Sequence, residues 1–363
     1  MKICFRADAS VEIGNGHMMR CLTLAQELRK RGAVCHFVTR AHQGHRADLI
    51  AQLGFELSLL SVPDGPAPAS PPDHAAWAGV SWERDLAESR AVIAEADWLI
   101  VDHYALDARW QRGLVDCVDR IMVIDDLADR PQAAALLLDQ NLGREAKDYD
   151  GLVSDDCRIL TGPRFALLRP EFAAQRERSL TRRQTPQLAH LMVTMGGTDA
   201  IDATSQVLRA LKDADLAEAL RISVVMGSRA PALERVRALA ADMPWPTEVL
   251  VDVRDMAALM TDADLAIGAG GSTTWERCCL GLPSIIVETA ANQAGAVAAM
   301  EYAGAALGTG PLFAPDFRER LVAALERLMD PDDNARLSRA SADLCAGDGA
   351  EFVAQFLEEP TWA

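Results

Sequence analysis

Residues 12–20 read EIGNGHMMR. Gly14 and Gly16 flank Asn15, and His17 and Arg20 follow as a leucine-bearing amphipathic run begins. A phosphate-binding turn needs glycines and free backbone N–H groups, and it has no use for an imidazole. A histidine placed there is a candidate general base, and the start of a helix favours its neutral form because the dipole disfavours imidazolium. The plainer alternative is a tight turn whose histidine merely caps the helix. A dinucleotide fingerprint fits poorly. Met19 stands where the third glycine belongs, and the next strand ends in Thr39 and Arg40, with no acidic ribose ligand.

A second constellation lies in the other half of the chain. GAGGSTTWE (268–276) places three glycines within four residues after an apolar run. Gly271, Ser272, Thr273 and Thr274 then open a helix that carries Glu276. Free N–H groups at such a turn suit a diphosphate, and a carboxylate one turn on can accept hydrogen bonds from ribose hydroxyls. MGGTD (195–199) ends the first strand of this half and offers Gly197 and the Thr198 hydroxyl. ETAANQ (288–293) brings Asn292 and Gln293 to the end of a neighbouring strand, where their amides could meet sugar hydroxyls or phosphate. In the first half, VDHYALD (101–107) and IDDLADR (124–130) put Asp102, Tyr104, Asp125 and Asp126 just after buried strands. Their spacing matches no common metal box, so no metal and no cofactor is expected. The three carboxylates have a structural alternative, since strand-end carboxylates often bond nearby backbone N–H groups.

These residues need a scaffold that gathers strand ends. Continuous apolar runs alternate with helical patterns, which predicts α/β architecture with parallel strands covered on both faces. The runs KICFRA, VCHFVT, FELSLL, WLIVD, RIMVID and ALLLD read as strands of a first block. LAHLMVTM, RISVVMG, TEVLV, DLAIGA and SIIVE form a second, with helices near 315–329, 332–345 and 349–358 behind it. The expected organisation is an N-terminal Rossmann-like domain over 1–172, a charged linker over 173–187 and a C-terminal Rossmann-like domain over 188–363, the two facing across a cleft. The Pro-rich stretch 62–73 reads as a surface loop.

At 363 residues the chain has room for two domains. The net charge of −17 argues against nucleic acid or an anionic membrane as main partner. No apolar run is long enough for a membrane-spanning helix, and the N-terminus reads as a strand with no signal-peptide pattern, so a cytoplasmic monomer without membrane insertion is expected. The eight cysteines form no CxxC pair and sit among apolar neighbours, which predicts reduced, buried thiols.

Taken in order, FRADAS, GNGHMMR, VDHY, IDDLADR, LLDQN, GPRFALLRPEF, MGGTD, GAGGSTTWE, GLP and ANQ resemble the pattern of the UDP-2,4-diacetamido-2,4,6-trideoxy-β-L-altropyranose hydrolase family of pseudaminic acid biosynthesis, the pathway behind flagellin glycosylation. The second half is also similar to the UDP-binding domain of GT-B proteins, among them the N-acetylglucosaminyltransferase that forms lipid II. The Pro-rich loop and Asp202, where asparagine is usual, depart from the pattern. The resemblance implies a GT-B-like fold and a metal-independent, inverting C–O cleavage of a small-molecule UDP-sugar. It implies that His17 activates water and that Gly14, Gly16 and Arg20 beside it bind the substrate. Tyr104, Asn292 and Gln293 would position the sugar, Gly197, Thr198 and Gly271–Thr274 the diphosphate, Glu276 the ribose, and the backbone near Val253 the uracil. Three alternatives stay open: a GT-B glycosyltransferase, a non-catalytic nucleotide-sugar binding protein and a sugar-nucleotide epimerase.

Overall fold

The computed structural model describes residues 1–65 and 68–359, apart from the side chain of Asn292. Part of the Pro-rich loop therefore lies outside the described residues. In chain order the first elements are β1 (Lys2–Ala7), α1 (Gly16–Lys30), β2 (Val34–Arg40), α2 (Ala47–Gln52), β3 (Glu56–Leu60), α3 (Trp82–Val92), β4 (Ala96–Asp102), α4 (Ala108–Arg112), β5 (Val118–Ile124), β6 (Leu136–Asp139) and β7 (Arg158–Thr161). Then come α5 (Pro170–Arg182), β8 (His190–Thr194), α6 (Ala203–Leu211), β9 (Arg221–Met226), α7 (Leu233–Ala241), β10 (Thr247–Val251), α8 (Met256–Asp262), β11 (Leu265–Ala269), α9 (Thr273–Cys279), β12 (Ser284–Glu288), α10 (Ala294–Tyr302), β13 (Leu307–Pro311), α11 (Phe317–Met329), α12 (Pro331–Leu344) and α13 (Gly349–Glu358).

Two parallel sheets result. The first has strand order β3-β2-β1-β4-β5-β6-β7 and the second β10-β9-β8-β11-β12-β13. In each, the order reverses between the first strand and the fourth, at β1/β4 and at β8/β11. That reversal opens a crevice at the carboxyl ends of the two central strands, where open α/β sheets bind ligands. Both faces of the strands are covered, which is why they read as unbroken apolar runs. Phe5 and Phe37 stack at 4.7 Å inside the first core, and α1 buries Met18, Cys21, Leu22, Ala25 and Leu28 against it. Leu191, Val193, Val224, Leu265, Ile267 and Ile285 line the second.

The chain divides into two compact units, residues 1–167 with 349–363, and residues 168–348. This differs from the expected boundaries at two places. Residues 173–187 are not a free linker, because most of them belong to α5. That helix looks polar in sequence, yet it buries Phe172 and Ser179, and Arg176 within it and Arg183 at its C-cap bind backbone. Arg176 donates to the Ala342 and Cys345 carbonyls, and Arg183 to the Leu280, Ala263 and Met260 carbonyls. Helix ends leave such carbonyls unpaired, and the guanidinium groups satisfy them. The last helix, α13, belongs to the first unit, where Val353, Ala354 and Leu357 join the core around β1.

All eight cysteines are free thiols, and all but Cys117 and Cys157 are buried. Burial pushes the Cys278 thiol up to about 12. No helix among the described residues is long and apolar enough to cross a membrane.

Candidate active site

In the first unit the reversal point between β1 and β4 is filled by charge. Gly14 takes φ +77°, a left-handed conformation that side chains resist, and this closes a turn in which Ser10 and Gly14 bridge. Gly16 then starts α1, so His17 stands in its first turn beside the end of β4. Asp102 is the last residue of β4, and its Oδ1 lies 2.5 Å from His17 Nδ1. Arg20, one turn further along α1, grips the same carboxylate through Nε at 2.5 Å and Nη2 at 2.6 Å. Its Nη1 reaches Asp126 at 3.0 Å, and Asp126 accepts the Tyr104 hydroxyl.

The chemistry of this arrangement follows from the donors. Arg20 Nη2 also lies 3.3 Å from His17 Nδ1, but a guanidinium only donates, and the shorter contact to Asp102 assigns the Nδ1 hydrogen to the carboxylate. That leaves Nε2 as the atom able to take a proton, and Asp102 placed to stabilise the imidazolium that forms. Burial alone would raise the Asp102 pKa. The Arg20 guanidinium, with His17 beside it, holds the carboxyl well below its ordinary range instead. Burial and Asp126 push the Tyr104 hydroxyl far up, so it remains a neutral donor. Tyr104 is 7% exposed, and its ring meets His17 edge-on at 4.7 Å. Trp77, brought in by a short 3-10 helix (Ala75–Ala78) after the Pro-rich loop, stacks on Tyr104 at 5.2 Å and stands 6.0 Å from His17.

Asp102 is the residue that the sequence did not assign. Its signal was present, because VDHY ends a strand and the strand that pairs with β1 must deliver its last residue beside the turn after β1. What the sequence hides is which strand neighbours β1. Asp125, by contrast, is structural: it accepts from the Leu127 and Ala128 N–H groups and pairs with Arg130 at 2.8 Å.

In the second unit the reversal point between β8 and β11 is lined by backbone. Gly197 and Thr198 follow β8 in a loop, where Thr198 is half-buried. Behind them Asp199 accepts from the Ala203 and Thr204 N–H groups and so starts α6. Gly271 and Ser272 are exposed after β11, and Thr273 and Thr274 begin α9. Glu276 is half-buried, 3.5 Å from Arg169, and burial raises its pKa. Gln293 lies in the 3-10 helix Ala291–Gln293 after β12, and its Oε1 accepts from the Thr289 N–H at 2.9 Å. Asn292 shares that helix, but its side chain lies outside the described residues. Val253 follows β10, just past Asp252. The predicted residues of this half thus all follow carboxyl ends of strands in one parallel sheet.

Known proteins resemble this chain in sequence and in fold. Residues 190–351 match the glycosyltransferase family 28 C-terminal domain. The chain is 25% identical, over 77% of its length and 89% of the other, to the UDP-2,4-diacetamido-2,4,6-trideoxy-β-L-altropyranose hydrolase of Campylobacter jejuni. It is 32% identical over 49% of its length to the spore coat polysaccharide biosynthesis protein SpsG of Bacillus subtilis, and 24% identical over 79% to the uncharacterized protein MJ1062 of Methanocaldococcus jannaschii. The matches span about half the length of these last two relatives, 51% and 55%. Among solved structures, MurG of Acinetobacter baumannii aligns with a TM-score of 0.69 at 14% identity, covering 98% of this chain and 99% of that one. A co-structure of Staphylococcus aureus MnaA with UDP aligns at 0.62 and 12% identity, covering 98% and 96%. The resemblance implied by the motifs is therefore found: the chain is similar to the UDP-sugar hydrolase over most of its length, and its fold is that of the GT-B proteins.

Proposed function

We propose that the protein hydrolyses UDP-2,4-diacetamido-2,4,6-trideoxy-β-L-altropyranose to UDP and the free sugar, a step of pseudaminic acid biosynthesis. The observation that carries this reading is the His17–Asp102 pair, with Nε2 left to accept a proton at the ligand end of the first sheet. Water attacks an oxocarbenium-like anomeric carbon from the face opposite the leaving group, and a base must stand on that face. His17 takes the proton from that water, and Asp102 stabilises the imidazolium. Arg20 fixes the carboxylate, and Gly14 and Gly16 shape the turn that presents the ring. Tyr104, Asn292 and Gln293 position the sugar, with the Tyr104 oxygen left to accept because its hydrogen is given to Asp126.

UDP leaves with its added charge on the diphosphate. The N–H groups of the Gly271–Ser272 turn, the hydroxyls of Thr198, Ser272, Thr273 and Thr274, and the backbone at Gly197 stabilise it, and donors fixed in advance act more strongly there than water would. Glu276 holds the ribose, and the backbone near Val253 the uracil edge. The similarity to the Campylobacter jejuni hydrolase supports the reaction, and the match to the family 28 domain supports the nucleotide half.

A second reading, transfer of the sugar to an acceptor, is favoured by that same family 28 match and by the likeness to MurG. One incubation separates them. The purified protein is given the UDP-sugar with EDTA and no acceptor, with UDP-GlcNAc in parallel. Release of UDP from the diacetamido sugar alone is the expected result. No release by a protein that binds UDP moves the assignment to the transferase.

A further inference from the structure

Arg277 lies on α9 beneath the glycine turn and is 1% exposed. A guanidinium this deep is ordinarily matched by a carboxylate, because an uncompensated buried charge is costly. Among the described residues no carboxylate comes within ion-pair distance of Arg277. Its Nη1 donates to Thr273 Oγ1 at 3.3 Å, and its Nη2 to Thr274 Oγ1 at 3.0 Å and to the Ala269 carbonyl at 3.1 Å. Nε has no hydrogen-bond partner among the described residues. Burial draws the Arg277 pKa down to about 10. The sequence makes room for the group, since a Cβ at position 268 would lie 2.4 Å from Nη1, and residue 268 is glycine.

Arg183 shows what a merely structural buried arginine does in this unit. It also lacks a carboxylate partner, yet Nε, Nη1 and Nη2 all donate to carbonyls where α8 and α9 end, and those carbonyls carry partial negative charge. Arg277 stands in the last turn of α9, but its guanidinium reaches back to the helix's other end. There the backbone amides of Gly271, Ser272 and Thr273 have no backbone partner among the described residues, and Glu276, next to Arg277 in sequence, acts on it only from beyond ion-pair distance. Among the described residues no carboxylate pairs with this charge, and a bound anion would supply the partner.

We propose that Arg277 is the positioning cation of the diphosphate site. Its charge lies under the turn. By donating to Thr273 Oγ1 it leaves that hydroxyl's own hydrogen free to point outward to a phosphate oxygen. It therefore sets the preference for a ligand bearing a diphosphate over the same nucleoside without one. This rests on the reading that the turn receives the UDP diphosphate.

The test is calorimetric titration of the full chain with UDP, UMP and uridine, for wild type, Arg277→Met, Arg277→Lys and Thr273→Val. Arg277→Met should lose UDP affinity by about tenfold or more and uridine affinity by less than about twofold, with UMP between. Arg277→Lys should recover part of the UDP preference. An equal fall for all three ligands, with Lys no better than Met, would mean a structural role and overturn the inference. So would wild-type UDP affinity in Arg277→Met. If the Met variant does not fold, Thr273→Val carries the test: a selective loss of UDP affinity is expected, and an unchanged UDP-to-uridine ratio overturns the proposal. Wild-type protein that binds no UDP would overturn the proposed function as well, whereas UDP binding with unaltered ratios in the variants overturns this inference alone.

Discussion

The two sheets share one strand order, to which the first adds β7, and prepare their reversal points in opposite ways. At β1/β4 every charge is answered within the chain: Asp102 by His17 and Arg20, Asp126 by Arg20 and Tyr104, and Asp8, deeper in, by Arg6 at 2.6 Å. At β8/β11 the groups are glycines, hydroxyls and amides, with one buried cation that no carboxylate among the described residues pairs. The first arrangement suits a proton transfer, which needs a fixed tautomer and a stable ion pair at each stage. The second suits an anion that arrives and leaves, since its charge is supplied by the ligand. On the proposed reading, one fold provides a base or an anion site according to what stands after its central strands.

If this division is right, damage to one unit should spare the property that belongs to the other. The largest effect is expected from His17→Ala. Turnover should fall by about 10²–10⁴-fold, the usual worth of a general base, while calorimetric UDP affinity stays near wild type. A matching loss of UDP affinity would break the comparison. Asp102→Asn comes next, because the amide cannot hold the same tautomer: turnover should fall by about 10²-fold, again with UDP binding kept. It also leaves Arg20 with less counter-charge, so denaturant titration should show a loss of about 3 kcal/mol in stability.

Glu276→Gln sharpens the contrast from the other side. UDP affinity should drop about tenfold through weaker ribose hydrogen bonds, with kcat at saturation little changed. A kcat loss as large as that of Asp102→Asn would contradict the assignment. The smallest effect is on acid stability. Asp8, Asp85 and Asp102 all have folded-state pKa values below their ordinary ones, despite burial, because arginines adjoin them. A depressed carboxyl stabilises the fold above its unfolded pKa of about 3.9, and that stability is lost as pH falls through the folded value. Stability measured from pH 5 downward should therefore decline below about pH 4, and Asp102→Asn should decline less steeply.

Much of the scaffold was legible because periodicity and strand-end motifs are local. The runs TEVLV and SIIVE became β10 and β12 without a shifted residue, and GNGH became a turn and a helix start. The linker was not legible. α5 turns arginines inward onto carbonyls that end other helices, and sequence shows their charge without their partners. The pairing of His17 with Asp102, 85 residues apart in sequence, depends on β1 and β4 becoming neighbours, which is a property of topology. Arg277 carried no sequence signal, since an arginine beside a glutamate in a helix reads as a surface pair. Its burial and its hydrogen-bond partners set it apart.

The central claim is that water activated by His17 attacks the anomeric carbon. The direct measurement is a single turnover of the UDP-sugar in ¹⁸O-water, with wild type and His17→Ala. The released UDP is read by mass spectrometry, and the sugar anomer by NMR before mutarotation. The account predicts unlabelled UDP, a labelled sugar of inverted configuration, and loss of both products in His17→Ala. Label in the UDP would place the cleavage at phosphorus, and release that survives the loss of His17 would remove the base; either result contradicts it.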